Sequence, residues 1–242
     1  MSSGIWSAAS GAIGHLASLD VTANNLANAS TAGFQGDRAV FQQVLAQKQL
    51  AGAASEYRQY SLVSSRSPDH TAGSITSTGK SLDVAINGDG YFVVKTPQGE
   101  RYTRNGGFLV IGGQLSLAGG QRVLDEGRSP IEIPDNEADL RIGDDGTVYA
   151  GAEAVGQLAV VRFANPDVMQ REGESLFRAP NGTAEATVPS LVTESLESSN
   201  VSVVKSMTEL VTATRSFDAM QRMIDTFSEI ERKAAMGIMG NR

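Results

Sequence analysis

Residues 200–236 read NVSVVKSMTELVTATRSFDAMQRMIDTFSEIERKAAM, and this stretch decides how the rest of the chain is understood. Met207, Leu210, Ala213, Phe217, Met220, Ile224, Phe227 and Ile230 follow one another at three- and four-residue steps. That is the spacing of one helical face. The pattern predicts a helix from Asn200 to about Met236, with Ser198, Ser199 and Asn200 as cap candidates and Gly237 and Gly240 marking its end. A periodic stretch longer than about 25 residues points to a coiled coil or repeat helix rather than an ordinary globular one. All of these positions except Ala213 carry large side chains, each worth about 1.5–3 kcal/mol when fully buried. Water is a poor final environment for such a face.

The other end of the chain repeats the theme with less weight. Residues 1–33 are rich in Ala, Ser and Asn and nearly free of charge. Ile5, Ala9, Ala12, Leu16, Leu19, Ala23 and Leu26 alternate steps of four and three, which is a heptad seam. The predicted helix runs from Ser3 to about Asn28, or ~39 Å at 1.5 Å per residue. Gly11 and Gly14 each weaken it by about 1 kcal/mol relative to Ala, and Gly33 is the candidate terminator. Small residues let helices approach closely but bury little area. A pair made of the two terminal helices is therefore expected to be marginal, with low stability in the free subunit. Neighbouring copies would complete the burial, and a contact that does not close on itself yields a filament or tube. The same periodicity also fits two helices packed on the middle of their own chain, and spacing alone leaves both readings open.

Between the ends the period changes. Residues 34–78 hold an amphipathic piece from Phe41 to Leu50 and a polar run from Ser64 to Pro68, an extended connector with room for one short helix or strand pair. From Leu82 onward short β-type runs are punctuated by Asn87-Gly88-Asp89-Gly90, Pro97-Gln98-Gly99, Asn105-Gly106, Gly112-Gly113, Gly119-Gly120 and Asp145-Gly146. Such spacing predicts antiparallel strands in a sandwich or barrel. Gly156–Phe163, GQLAVVRF, is the most apolar run and the candidate central strand. The fold class expected is α+β. Residues 1–33 and 200–242 form a discontinuous coiled-coil-like domain, 34–78 an extended connector, and 79–199 a mostly antiparallel β-rich domain.

Composition narrows the function. The 242 residues carry a net charge of −7, which repels phosphate backbones and argues against nucleic acid as a partner. There is no cysteine, so disulfides and thiolate metal sites are excluded. The first twenty residues lack the basic start and apolar run of a secretory signal. No stretch approaches the ~18 apolar residues that span a bilayer. Export, if it occurs, is expected without a cleaved signal, and direct membrane insertion is not expected. His15 and His70 have no ligand set beside them in sequence and read as solvated or interface histidines. No Gly-x-Ser-x-Gly elbow is present. Gly88-Asp89-Gly90 lies between β runs rather than before a helix, so it reads as a hairpin turn and not a phosphate cradle. The acidic positions Asp135, Glu137, Asp139, Asp144 and Asp145 lack calcium-loop spacing. No catalytic residue, metal or cofactor is expected, and the chain reads as a structural subunit. A β-sandwich glycan-binding module is the second reading, weakened by the scarcity of aromatics, and a hydrolase the third.

Four blocks carry a family resemblance. Val21–Phe34, VTANNLANASTAGF, resembles the N-terminal signature of flagellar rod and hook proteins. Thr78–Phe92, TGKSLDVAINGDGYF, is similar to that family's T-G-x-x-L-D-x-A-I-x-G-x-G block. Tyr102–Phe108, YTRNGGF, and Leu196–Val201, LESSNV, resemble two further blocks, and all four stand in family order. Ala32 stands where the family often has Pro, and Gln35 where it often has a basic residue. The resemblance implies a subunit exported by the flagellar type III apparatus and built, with like and unlike rod subunits, into a torque-transmitting rod that crosses the periplasm. Terminal helices would line the inner tube and the β domain would face outward. The compact middle favours the proximal rod, with a distal rod or short hook-type subunit as the alternative. The resemblance gives Asn24, Asn25, Leu26, Asn28 and Phe34 an assembly role. Periodicity adds Ile5, Leu16, Leu19, Met207, Leu210, Phe217, Met220, Ile224, Phe227 and Ile230.

Overall fold

The computed structural model describes residues 3–48, 56–134, 139–173, 175–180, 184–187 and 190–239. Among them two α-helices, α1 (Ser3–Ala27) and α2 (Val203–Met239), bracket a run of β-strands. The chain is α+β with a mostly antiparallel middle, and it divides into two compact units. One comprises residues 1–26, 37–67 and 202–242, the other residues 27–36 and 68–201.

The helical unit holds α1, α2 and a two-stranded sheet of β1 (Asp37–Lys48) and β2 (Glu56–Pro68). This sheet occupies most of the stretch expected to be a connector. Helix α1 runs within a residue of its expected span. A methyl group on Gly11 would lie 3.6 Å from the Met220 sulfur, so α1 and α2 meet where the sequence reading found only a weak point. Helix α2 begins at Val203, three residues later than expected, with the Ser206 N–H donating to the Ser202 carbonyl at 2.9 Å. It runs through Gly237, which therefore does not terminate it. Along α2, Thr208, Thr212, Thr214, Thr226 and Ser228 turn their hydroxyls back onto the carbonyls four residues earlier. Those residues satisfy themselves locally but are modest helix formers. The helix therefore depends on packing of its apolar stripe.

The β unit contains β3 (Ile75–Ser77), β4 (Val84–Ile86), β5 (Tyr91–Thr96), β6 (Gly99–Thr103), β7 (Phe108–Ile111), β8 (Gln114–Leu117) and β9 (Arg122–Val123). It continues with β10 (Leu140–Ile142), β11 (Thr147–Ala150), β12 (Glu153–Gln157), β13 (Val160–Phe163), β14 (Gln170–Arg171) and β15 (Leu176–Arg178). It ends with β16 (Ala184–Ala186), β17 (Leu191–Thr193) and β18 (Ser195–Glu197). The main sheet has the order β14-β15-β6-β5-β9-β8-β7, with β13 pairing both β5 and β16. A three-stranded sheet β10-β11-β12 and the pairs β17-β4 and β18-β3 complete it.

Turn chemistry fixes the hairpins. Gly112 and Gly113 form a two-residue loop between paired Ile111 and Gln114, with φ of 59° and 73°. Positive φ at both loop positions matches the twist of the flanking strands, and glycine adopts it without steric cost. Asn87–Gly90 is different. It is a bend between β4 and β5, which belong to separate sheets, so it is not the expected hairpin turn.

Strand β5 is buried on both faces. Phe92 and Val94 enter one core with Val84, Leu115, Val123 and Leu158, while Tyr91 and Val93 enter another with Leu124, Phe163, Met169 and Phe177. Alternate side chains of a strand point to opposite faces, so only a strand between two layers reads as a continuous apolar run. The run Gly156–Phe163 is instead split. Strand β12 ends at Gln157 in the small sheet and β13 begins at Val160 in the large one. Between them Leu158 is fully buried and donates its N–H to the Gly146 carbonyl at 2.8 Å.

Phe92 packs edge-on against Phe108 at 5.2 Å between ring centres and is inaccessible to solvent. Phe92→Ala is expected to lower the unfolding free energy by about 3–5 kcal/mol, read from urea unfolding followed by far-ultraviolet circular dichroism.

Candidate assembly site

Two groups of residues answer the sequence expectation, one in each unit. In the helical unit, Leu19, Leu210, Phe217, Met220, Ile224 and Phe227 are half-buried and Ala213 is buried. Leu16, Met207 and Ile230 are exposed at 44%, 53% and 56%. The backbone of Ile5 lies in α1, and its side chain falls outside the described residues. The stripe on α2 is therefore only partly covered within a single chain. The sequence reading missed a second apolar set: Val204 at 76% exposure and Val211, which flank Met207 at three- and four-residue steps, and Ile13 on α1 at 61%. These residues stand off the main stripe and so add nothing to its period.

The asparagine motif at the end of α1 divides its labour. Asn25 pairs with the main chain of Asp37 as a strand would: its Nδ2 donates to the Asp37 carbonyl and its Oδ1 accepts the Asp37 N–H, both at 2.8 Å. Asn24 is exposed and Leu26 half-buried. In the β unit, the Asn28 carbonyl accepts the Thr31 N–H at 3.1 Å and its Oδ1 takes the Thr31 hydroxyl at 3.2 Å, closing a turn after the helix. Gly33 follows with φ of 66°, and an added Cβ would lie 2.3 Å from the Asn105 nitrogen. Only glycine fits there.

Phe34 is buried beneath the Arg171 guanidinium, 4.6 Å from the ring centre, with Phe177 at 5.0 Å from the same guanidinium. Arg171 also donates to the Gln35 carbonyl. Gln35 is buried, and its Oε1 meets His70 Nδ1 at 3.0 Å and the Tyr91 hydroxyl at 3.3 Å. His70 Nδ1 lies 2.9 Å from that hydroxyl as well. His70 is thus half-buried in a polar cluster rather than solvated. Burial pushes the Tyr91 phenol up to about 12, against smaller lowering effects from Gln35 and Arg104.

Asn200 holds this region together. Its Oδ1 accepts the Gly36 N–H at 2.7 Å, and its Nδ2 donates to the carbonyls of Asp69 at 2.9 Å and Thr71 at 3.0 Å. Its own N–H reaches the Phe34 carbonyl at 3.3 Å, and the Gly33 N–H donates to the Glu197 carbonyl at 2.8 Å. Sequence reading offered Asn200 as a helix cap; it clasps two distant chain segments instead, 34–36 and 69–71. Glu197 is buried and pairs with buried Arg104 at 2.7 Å, while its other oxygen accepts the Gly73 N–H at 2.9 Å. Arg104 Nη1 donates to the carbonyls of Gly88 at 2.8 Å and Gly90 at 2.7 Å. Neither partner of this ion pair could be matched by local pattern, since 93 residues separate them.

This arrangement fixes backbone segments through Asn200, Glu197 and Arg104. Among the described residues no cluster of three or more histidines or carboxylates is placed to hold a metal. Asp135 and Glu137 of the acidic stretch lie outside the described residues.

Comparison with known proteins covers both groups. The family model described as flagella basal body rod protein matches residues 5–35. That of the flagellar hook protein FlgE/F/G D1 domain matches residues 85–150, and that of the flagellar basal body rod FlgEFG protein C-terminal region matches residues 192–236. The chain is 34% identical to the flagellar basal-body rod protein FlgG of Bacillus subtilis, over 93% of this chain and 95% of that one. It is 34% identical to FlgF of Caulobacter vibrioides over 89% of each chain. Against FlgF of Salmonella typhimurium the identity is 35%, over 88% and 89%.

Asn200→Ala leaves buried or half-buried main-chain groups without their partner and is expected to cost about 1–3 kcal/mol in urea unfolding. Asn200→Asp retains the acceptor but removes the donor, and should be destabilised as well. A second expectation concerns alkaline pH. The Tyr91 pKa is higher folded than unfolded, so its contribution is intact below pH 10 and is lost as pH rises from 10 to about 12. That loss amounts to about 2–3 kcal/mol. Tyr91→Phe should remove that part of the alkaline fall in a stability–pH profile.

Proposed function

This chain belongs to the family of flagellar basal-body rod proteins, and from that premise we propose how it assembles. It is a structural subunit of the rod, not an enzyme. In the proposal α1 and α2 pack in coiled-coil fashion with the helices of neighbouring copies and of other rod subunits, forming the inner tube. The assembly domain comprises residues 1–33 and 200–242, joined through 34–78 to an outer domain of residues 79–199. The tube crosses the periplasm and carries torque from motor to hook. The subunit reaches it through the flagellar type III export apparatus without a cleaved signal. The compact middle favours an FlgF-like, proximal position.

The observation that carries this reading is the incomplete burial of the α2 stripe. Phe217, Met220, Ile224 and Phe227 are half-buried, and Met207 and Ile230 at its ends are exposed. Large apolar side chains left in water favour association by about 25 cal/mol for each Å² removed from it. The exposed Val204, Val211 and Ile13 enlarge the surface available to a neighbour. A heterologous contact between identical copies extends as a helix where its rotation does not close into a ring. On this reading Asn24, Asn25, Leu26, Asn28 and Phe34 act indirectly, by fixing the path of the chain after α1. Ile5, Leu16 and Leu19 supply the lighter seam.

The test substitutes the stripe without touching the β unit. Phe217→Ser with Ile224→Ser in the full chain should weaken incorporation by at least about tenfold. Rods isolated from cells carrying the variant should lack the subunit, while its β unit unfolds as before. Normal rods containing the double variant would contradict the proposal.

A further inference from the structure

We infer that Asn87-Gly88 is a spontaneous modification site, where the asparagine converts to isoaspartate and loosens the Arg104 anchor of the β unit. Asn87 is exposed in the bend between β4 and β5, and Gly88 beside it is exposed too. The Asn87 main-chain N–H is fixed on the Ser190 carbonyl at 2.8 Å, but among the described residues its side chain meets no hydrogen-bond partner. Gly88 has no side chain to shield its own nitrogen, and a Cβ placed there would touch nothing within 4 Å. The bend also lines a solvent-open cavity of about 180 Å³ with Tyr91 and Arg104, so water reaches it.

The chemistry balances without an oxidant or cofactor. The Gly88 main-chain nitrogen attacks the Asn87 side-chain carbonyl carbon, and a carbon–nitrogen bond closes a succinimide ring. The side-chain nitrogen leaves as ammonia, taking the proton from the Gly88 nitrogen. Water then opens either ring carbonyl, giving aspartate or isoaspartate. Isoaspartate routes the main chain through one extra methylene immediately before Gly88. The Gly88 carbonyl is one of the acceptors of Arg104 Nη1, at 2.8 Å, so the displacement falls on the group that also neutralises buried Glu197.

A second pair in the same unit serves as the internal control. Asn105 is half-buried and its Oδ1 accepts the Gly107 N–H at 3.0 Å, a hydrogen bond that the Asn87 side chain lacks among the described residues. Gly106 is buried so tightly that a Cβ would lie 1.8 Å from the Val84 carbonyl oxygen. Ring closure there must break that hydrogen bond and move packed backbone. The third pair, Asn181-Gly182, lies outside the described residues.

The experiment ages the full-length protein at mildly alkaline pH and maps its peptides by mass spectrometry. Isoaspartate is identified by labelling with an isoaspartyl methyltransferase and S-adenosylmethionine. Asn87 should convert about tenfold faster than Asn105, with isoaspartate among the products. Equal rates, or an unchanged Asn87, would overturn the site. Aged protein should unfold at lower urea concentration than fresh protein, whereas an Asn87→Ala variant should age without that shift. An Asn87→Asp variant, which adds the charge but not the methylene, should stay near the fresh protein. If aged wild type and aged Asn87→Ala unfold alike, the link to Arg104 is wrong.

Discussion

One planar amide, that of Asn200, accepts from Gly36 and donates to Asp69 and Thr71. Gly36 is 164 residues away in sequence and Thr71 is 129. Bringing such distant segments together has an entropic cost that grows with loop length. Hydrogen bonds of near-ideal length and a buried ring beside them offset it. No other short side chain could serve: aspartate has no donor, and leucine of similar shape has neither group. The neighbouring Arg104–Glu197 pair depends on the same condition. A buried ion pair repays its desolvation only when its remaining donors and acceptors are satisfied. Here the carbonyls of Gly88 and Gly90 and the N–H of Gly73 satisfy them. Phe34, under Arg171, closes the region with an apolar plug.

The two units therefore rest on different physics. The β unit has two cores on either side of β5 and a set of committed polar contacts, so it is complete within one chain. The helical unit has a stripe that one chain only partly covers and a long helix whose threonine hydroxyls donate to its own carbonyls four residues earlier. Its α1–α2 contact at Gly11 and Met220 is close but light. The assembly proposed above requires this division: the part that gives shape is finished in the free subunit, and the part proposed to polymerise is left unfinished.

Much of this was legible in sequence, for definite reasons. Both helices carry a helical period over many turns, and Gly112-Gly113 marks a hairpin because its φ requirement is local. The Val21–Phe34 and Leu196–Val201 blocks carry part of the family resemblance, and Gly33 and Phe34 of the first meet Glu197 and Asn200 of the second. What could not be read is non-local. Asn200 looked like a helix cap because a polar residue before a helix usually is one. His70 read as a solvated or interface histidine because its partners, Gln35 and Tyr91, are distant in sequence. Gly156–Phe163 looked like one central strand because apolar runs do not announce a change of sheet at Leu158. Val204, Val211 and Ile13 went unnoticed because they sit off the principal stripe. The connector holds a two-stranded sheet, one of the two forms its pattern left open, and the lack of a firm period kept the choice between helix and strand pair undecided.

The central claim is that the terminal helices complete their burial only on neighbouring subunits. Amide hydrogen exchange, measured on the free subunit and on isolated rods, tests it most directly. The account predicts fast exchange along α1 and α2 in the free subunit and strong protection in the rod, with β5, β6 and β13 protected in both. Strong protection of both helices in the free subunit, unchanged on assembly, would contradict it.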